Sequence, residues 1–257
     1  MNVLITGGAS NIAYQVALKL SRDNKVYLTV HTLSQLNKLK ESISKNNIEC
    51  FKLDITDEND YEQLNDLDID LFISHASIGC GGSVLAMDLD ILKKNYETNV
   101  FANFKLIKYV YKKMDSKGGK IFIMSSLASM LPIIMLDTYV SSKAAISMIT
   151  LCLQKELKFI NSKVHISLIE PGAFYTGFNQ VMIDNKENNL DKDTIMYSYY
   201  DKFDKRQKRL FKLIESKNTD KIVNKIVKQS YKKKPKSKIR APFLQVVVTK
   251  LYIFLFR

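Results

Sequence analysis

Val3-Leu-Ile-Thr-Gly-Gly-Ala-Ser-Asn-Ile-Ala13 runs from a short apolar stretch through a glycine turn into a helical pattern. In the Thr6–Ala13 segment a Gly-rich turn brings backbone N–H groups close to a ligand. The helix that starts there adds partial positive charge, which favours a pyrophosphate. Taken alone, such a segment is also an ordinary strand-to-helix turn. Its surroundings decide the fold. Short apolar, β-branched runs recur at Val3–Thr6, Val26–Val30, Cys50–Leu53, Leu71–Ser74, Ile121–Met124 and Val164–Ile169. Runs of that length suit buried parallel strands. Between them lie helix-length patterns at Asn11–Ser21, Leu33–Ser44, Asp57–Leu64, Leu89–Met114 and Thr138–Ile160. Strands alternating with helices predict an α/β fold, a doubly wound parallel sheet with helices on both faces and right-handed crossovers.

The chain has 257 residues, enough for one large domain with a sizeable core. No repeat and no Pro/Gly/Ser linker divides it, so residues 1–257 read as a single domain. A hydrophobic share of 46% and a charged share of 25% exclude disorder throughout. The three cysteines, Cys50, Cys80 and Cys152, are far apart and form no CxxC pair. A disulfide scaffold or a metal site is therefore not expected, and a reducing cytoplasm fits. The start, MNVLITGG, goes straight into a strand and has no signal-peptide pattern. Charge is uneven. Residues 1–200 hold 21 Lys and Arg against 22 Asp and Glu, whereas residues 201–257 hold 18 against 4, a net of +14. Solvated helix faces explain such an excess, and so does a patch for an anionic partner. No nucleic-acid recognition motif accompanies it, and none is expected as a partner.

Tyr139-Val-Ser-Ser-Lys143 opens a long helical pattern. The i, i+4 spacing places the Tyr hydroxyl and the Lys ammonium on one face. A cation beside a phenol lowers its pKa towards neutrality, as a general acid/base requires. Ser126 follows the preceding strand and can hydrogen-bond a carbonyl or alkoxide oxygen. These pieces fall at the carboxyl ends of successive strands, where open α/β sheets bind ligands.

In this order the motifs resemble the short-chain dehydrogenase/reductase family, nearly continuously over residues 1–180, with its Rossmann-type fold. Thr6–Ala13 looks like the family's cofactor loop, with contacts implied from Gly7, Gly8, Ser10, Asn11 and Ile12. Asp54 and Ile55 resemble the adenine-contacting pair after the third strand. The Asp70–Ser77 stretch resembles the strand that usually ends NNAG, implying contacts from Ser74 and Ala76. Asn99, Ser126, Tyr139 and Lys143 match the catalytic tetrad, and Tyr139 and Lys143 are also cofactor contacts there. Pro171-Gly172-Ala-Phe174-Tyr-Thr176 looks like the segment beside the nicotinamide.

The departures are Asn11 and Ala13 in place of loop glycines, and Ser74-His75-Ala76-Ser77 in place of NNAG. Asn11 raises the question of a positive φ, which Asn tolerates better than most residues. His75 reads as a packed histidine rather than a catalytic one. An acid after the second strand would select NAD. Val30-His31-Thr32 stands there instead, so NADP is favoured, with NAD as the alternative and His31 as a contact.

The resemblance implies an NAD(P)-dependent enzyme that reduces a small-molecule carbonyl or oxidises a secondary alcohol. The C-terminal part resembles the branch that handles lipid-like substrates. The alternative is a cofactor-binding sensor or scaffold with little turnover, for which Asn11, Ala13 and the altered NNAG strand speak. Residues 177–215 read as a substrate lid, with a polar loop at Asp184–Asp193 and aromatics at Tyr197, Tyr199, Tyr200 and Phe203. Residues 216–257 form a basic extension with an apolar end. Its run from Ala241 to Phe256 carries Lys250 and is shorter than the ~20 residues of a membrane span. One expectation is a helix packed on the domain. The other is an interfacial anchor giving peripheral contact with an anionic membrane. Oligomeric state is left open, a homo-oligomer included.

Overall fold

The structure, a computed structural model, describes residues 1–43 and 47–256, with Phe256 described by its backbone alone. Seven parallel strands form one sheet: β1 (Asn2–Ile5), β2 (Lys25–Val30), β3 (Ile48–Lys52), β4 (Leu71–Ser74), β5 (Gly119–Met124), β6 (Val164–Pro171) and β7 (Lys238–Ala241). Their order is β3-β2-β1-β4-β5-β6-β7. β1 pairs with β2 on one side and with β4 on the other, so the winding reverses between β1 and β4. That reversal opens a crevice at the strands' carboxyl ends.

Strand alternation sends successive side chains to opposite faces. Val3 and Ile5 join α1 (Asn11–Leu20), α2 (Leu33–Ser42) and α9 (Asp220–Ser230) in one core. Leu4 and Phe72 face the other core, filled by α4 (Asn103–Met114), part of α5 (Asp137–Phe159) and the 3₁₀ segment Glu58–Leu64. The expected helix at Leu33–Ser44 ends at Ser42, and Ser44 lies outside the described residues. The expected helix at Asp57–Leu64 is 3₁₀, with the Asp57 side chain capping it by accepting from the Asn59 N–H.

The single helix expected over Leu89–Met114 is interrupted. α3 (Leu89–Tyr96) passes through a π-helical turn, Glu97–Ala102, before α4 begins. Such turns are frequent at functional sites, and Asn99 lies within this one. Residues 177–215, the segment expected as a substrate lid, contain α6 (Phe178–Asp184), the short α7 (Ile195–Ser198) and α8 (Tyr200–Ile214). The chain ends in α10 (Phe243–Phe256).

α10 does rest on the domain, against β7 and the Leu127–Met130 turn, but through its more polar side. Thr249 is buried, and Gln245, Val246 and Ile253 are half-buried. Gln245 ties the helix down: its Oε1 accepts from the Ala173 N–H at 2.7 Å and its Nε2 donates to the Ile214 carbonyl at 2.6 Å. Most of the apolar side chains of α10 face outward, Val246 and Ile253 excepted. Among the described residues no helix is long and apolar enough to cross a membrane.

Candidate active site

The glycine turn after β1 is built by close packing. Gly7 has φ +74° and lies so near Ala76 that a Cβ would come within 3.0 Å of its backbone. A Cβ on Gly8 would strike Leu28 at 2.6 Å. Thr6 Oγ1 accepts from the N–H groups of His75 and Ala76, at 3.0 and 3.1 Å, and so locks the ends of β1 and β4 together. Asn11 is the first residue of α1 and is not among the residues with positive φ. The second loop glycine is therefore not needed for backbone geometry. Ser10 is the N-cap, yet its side chain makes no capping hydrogen bond. The first N–H groups of an α-helix have no intrahelical partner, so those of α1 stay available to an anion.

At the adenosine end, His31 Nε2 stands 3.6 Å from the Asp54 carboxylate. Asp54 also accepts from the Thr56 N–H and hydroxyl. Its pKa is lowered: burial works in the opposite direction, but the Thr56 hydrogen bonds, His31 and Lys52 together prevail. Thr32 caps α2 by accepting from the Gln35 N–H. Three residues expected as cofactor contacts spend their side chains elsewhere. Ile12, Ile55 and Phe174 are buried in the core, leaving only their backbone for a ligand. Ser74 Oγ is likewise engaged, donating to Asn103 Oδ1 at 2.6 Å.

The catalytic candidates converge where β5 meets α5. Ser126 Oγ accepts from the Ala128 N–H at 3.1 Å and shares a hydrogen bond with the Tyr139 hydroxyl. Lys143 is buried, its Nζ 5.8 Å from the Tyr139 ring centroid and 3.4 Å from the Met124 carbonyl. Ser125 braces this helix by donating to the Lys143 carbonyl. The expected drop in the Tyr139 pKa does not occur in this state. Burial pushes the phenol up to about 12, and the hydrogen bond with Ser126 only moderates the rise. The same burial brings Lys143 down to about 7. A dry site favours neutral forms of both groups.

Asn99 is buried and fully engaged. Its Oδ1 accepts from the Ile78 N–H at 2.8 Å, and its Nδ2 donates to the Ile78 carbonyl, Asn95 Oδ1 and Ser142 Oγ. It pins the π-helical turn against α5 and the post-β4 segment. His75 is neutral: burial, then the nearby Lys143 charge, lowers its pKa to about 3.

Several contributors carried no recognisable signal in the sequence. Phe178 lies 5.7 Å, ring to ring, from Tyr139, and Met182, Ile183 and Phe211 complete an apolar cluster around it. Lys186, buried in the segment between α6 and α8, is held by Asp204 at 3.0 Å and donates to Gln207 Oε1 at 2.5 Å. Glu170, buried just before Pro171, pairs with Arg240 of β7 at 2.5 Å. Thr176 and Gly172 stand with Pro171 at the end of β6, and Gly172 N–H donates to the Ala241 carbonyl at 2.8 Å.

The family model of the short chain dehydrogenases matches residues 1–187. The chain belongs to the short-chain dehydrogenase/reductase family. The human 17-beta-hydroxysteroid dehydrogenase type 1 is 26% identical to this short-chain dehydrogenase/reductase over 207 residues, covering 75% of the chain and 62% of the human protein. An uncharacterized oxidoreductase of Bacillus subtilis, YusZ, is 28% identical over 209 residues, covering 77% of the chain and 74% of its own length. Among solved structures, a short-chain dehydrogenase from Streptomyces avermitilis superposes with a TM-score of 0.79 at 18% identity, covering 99% of this chain and 93% of that one. A nicotinamide dinucleotide fits the residues present. The close-packed glycine turn and the uncapped start of α1 follow β1, and the buried Tyr139–Lys143 pair stands at the end of β5, where Lys143 Nζ meets the Met124 carbonyl.

Proposed function

We propose that this short-chain dehydrogenase/reductase interconverts a lipid-like ketone or aldehyde and its alcohol, with NADP as the preferred cofactor. The observation that carries the reading is the burial of Ser126, Tyr139 and Lys143 together beneath an apolar lid. Gly7, Gly8, Ser10, Asn11 and the first turn of α1 would hold the pyrophosphate, and His31 and Thr32 the adenosine phosphate. The nicotinamide, when bound, supplies the hydride for reduction or accepts it in oxidation. This chain's residues manage the proton and the oxygen.

In reduction, Ser126 donates a hydrogen bond to the substrate oxygen. Tyr139 gives that oxygen its hydroxyl proton and becomes phenolate. Lys143, with its pKa near neutrality, returns a proton to Tyr139 and is recharged from solvent. Asn99 is a positioning residue that keeps α5 and the post-β4 segment in register. Phe178, Met182 and Phe211 exclude water and favour an apolar substrate body.

Titration of the full chain with NADPH and NADH, followed by a screen of apolar ketones, aldehydes and alcohols, tests the reading. Tighter NADPH binding and loss of reduced nicotinamide with an apolar carbonyl are expected. Binding without turnover of any carbonyl or alcohol would instead favour the sensor or scaffold role. Tighter NADH binding would overturn the cofactor choice. Since no acid follows β2, His31→Asp should reverse the preference by repelling a 2′-phosphate.

A further inference from the structure

α10 displays its hydrophobic side to solvent. Phe243, Leu244, Val248, Leu251, Phe254 and Leu255 are each between 54% and 84% exposed. At 100° per residue these positions share one side of the helix, opposite Gln245, Val246, Thr249 and Ile253. An ordinary surface helix has the reverse arrangement. The Gln245–Ile214 hydrogen bond brings the end of α8 beside the start of α10. There α8 adds Leu210, Leu213 and Ile214, with Leu213 83% exposed. The same helix carries Lys202, Lys205, Arg206, Lys208, Arg209 and Lys212, all exposed, against only Asp201 and Asp204. Apolar residues and cations therefore lie together on two adjoining helices.

We infer that the outward side of α10, with the exposed end of α8, is a docking surface for an anionic lipid bilayer. α10 lies in the interface plane, its aromatic and aliphatic side chains in the acyl boundary and the α8 cations against the headgroups. A 14-residue helix is about 21 Å long, sufficient to lie in that plane and too short to cross it. Charge argues against a second copy as the occupant. Residues 201–257 carry 18 Lys and Arg against 4 Asp and Glu, so two such faces would repel. α8 also links the surface to the reaction site, since Phe211 packs in the Tyr139 cluster while Leu213 points outward. The docked face thus borders the lid.

The chain contains no Trp, so Phe254→Trp places a single fluorescent reporter on the outward side. With phosphatidylserine-containing phosphatidylcholine vesicles at low salt, its emission should shift to the blue, and the full chain should co-sediment. High salt should weaken both effects, because the attraction between the cations and anionic headgroups is screened. Leu213→Glu with Leu251→Glu should reduce vesicle affinity by about tenfold or more, while thermal melting and cofactor binding stay as in the parent. Should that double variant fail to fold, Lys205→Gln with Arg209→Gln tests the charge component alone and should flatten the salt dependence. The proposal fails if the folded Phe254→Trp chain shows no shift and no co-sedimentation with anionic vesicles at low salt. It fails equally if sedimentation shows that Leu251→Glu dissociates a homodimer, or if the face binds a soluble acidic protein, while vesicles are ignored.

Discussion

Helices α1 and α10 both carry a strong apolar side and are placed in opposite ways. α1 sinks Ile12, Val16 and Leu20 into the core and turns its uncapped first turn towards the crevice. α10 rests on Gln245, Val246, Thr249 and Ile253 and leaves Phe243, Leu251 and Phe254 in solvent. The difference teaches that apolar content does not determine burial. α1 follows the first strand and must close over the sheet. α10 follows the last strand, past the sheet's edge, where hydrogen bonds from Gln245 to Ala173 and Ile214 fix its rotation. The comparison extends to chemistry: the region around α1 is dense with reacting and cofactor-contacting candidates, whereas the region around α10 meets the candidate segment after β6 through Gln245 at Ala173 and is otherwise charged and apolar.

The strongest way to break that division is at Tyr139. Tyr139→Phe removes one hydroxyl and should lower kcat by about 10²–10⁴-fold with cofactor affinity nearly unchanged. A parent-like kcat with a substrate on which the parent is active would show that the proton comes from elsewhere.

The pH dependence of the two directions sharpens the assignment. Burial holds the Tyr139 pKa at about 12, so the protonated form needed for reduction predominates throughout pH 7–10. Lys143, which resupplies that proton, has its pKa at about 7, so its charged share falls across the window and reduction should decline as pH rises. Oxidation needs the phenolate, whose share grows about tenfold per pH unit below the pKa, so its kcat/KM should climb. Steady-state profiles in both directions check this, and a falling oxidation profile would contradict it.

A smaller effect is expected at the junction of the two regions. Glu170→Leu leaves the half-buried Arg240 guanidinium without its carboxylate; loss of one partner of a fully buried pair costs about 3–5 kcal/mol, and the partial exposure of Arg240 brings the expected loss below that. Chemical denaturation should show this as a lower midpoint. An unchanged midpoint would mean that β7 and α10 are held independently of the pair.

The smallest effect belongs to α10 itself. Leu251→Lys alters an outward side chain and should change stability by no more than about 0.5 kcal/mol. A large loss of thermal stability would mean that the outward side is packed, and the contrast with α1 would collapse.

Most of the fold was legible because short β-branched runs and helical periods report backbone geometry locally. The Ser126, Tyr139 and Lys143 constellation was legible because two of its members are one helical turn apart and the third ends a strand. The interruption of Leu89–Met114 was not legible. The π-helical turn depends on Asn99 finding partners at Ile78 and Ser142, each distant in sequence. The Tyr139 pKa was misjudged for a similar reason: the sequence places a cation one turn away, but burial outweighs it, and the cluster that packs with Tyr139 includes Phe178, Met182 and Phe211, which lie far along the chain.

By itself, the sequence determined the doubly wound sheet, its glycine turn, the residue types at the strand ends and the concentration of positive charge after residue 200. Those properties follow from local spacing and composition. Only the tertiary structure decided that the His31 imidazole meets Asp54, that Lys143 and Tyr139 are buried, and that α10 turns most of its apolar side chains outward. Each of these depends on which distant groups exclude water or supply a hydrogen-bond partner, and periodicity along one segment carries no record of them.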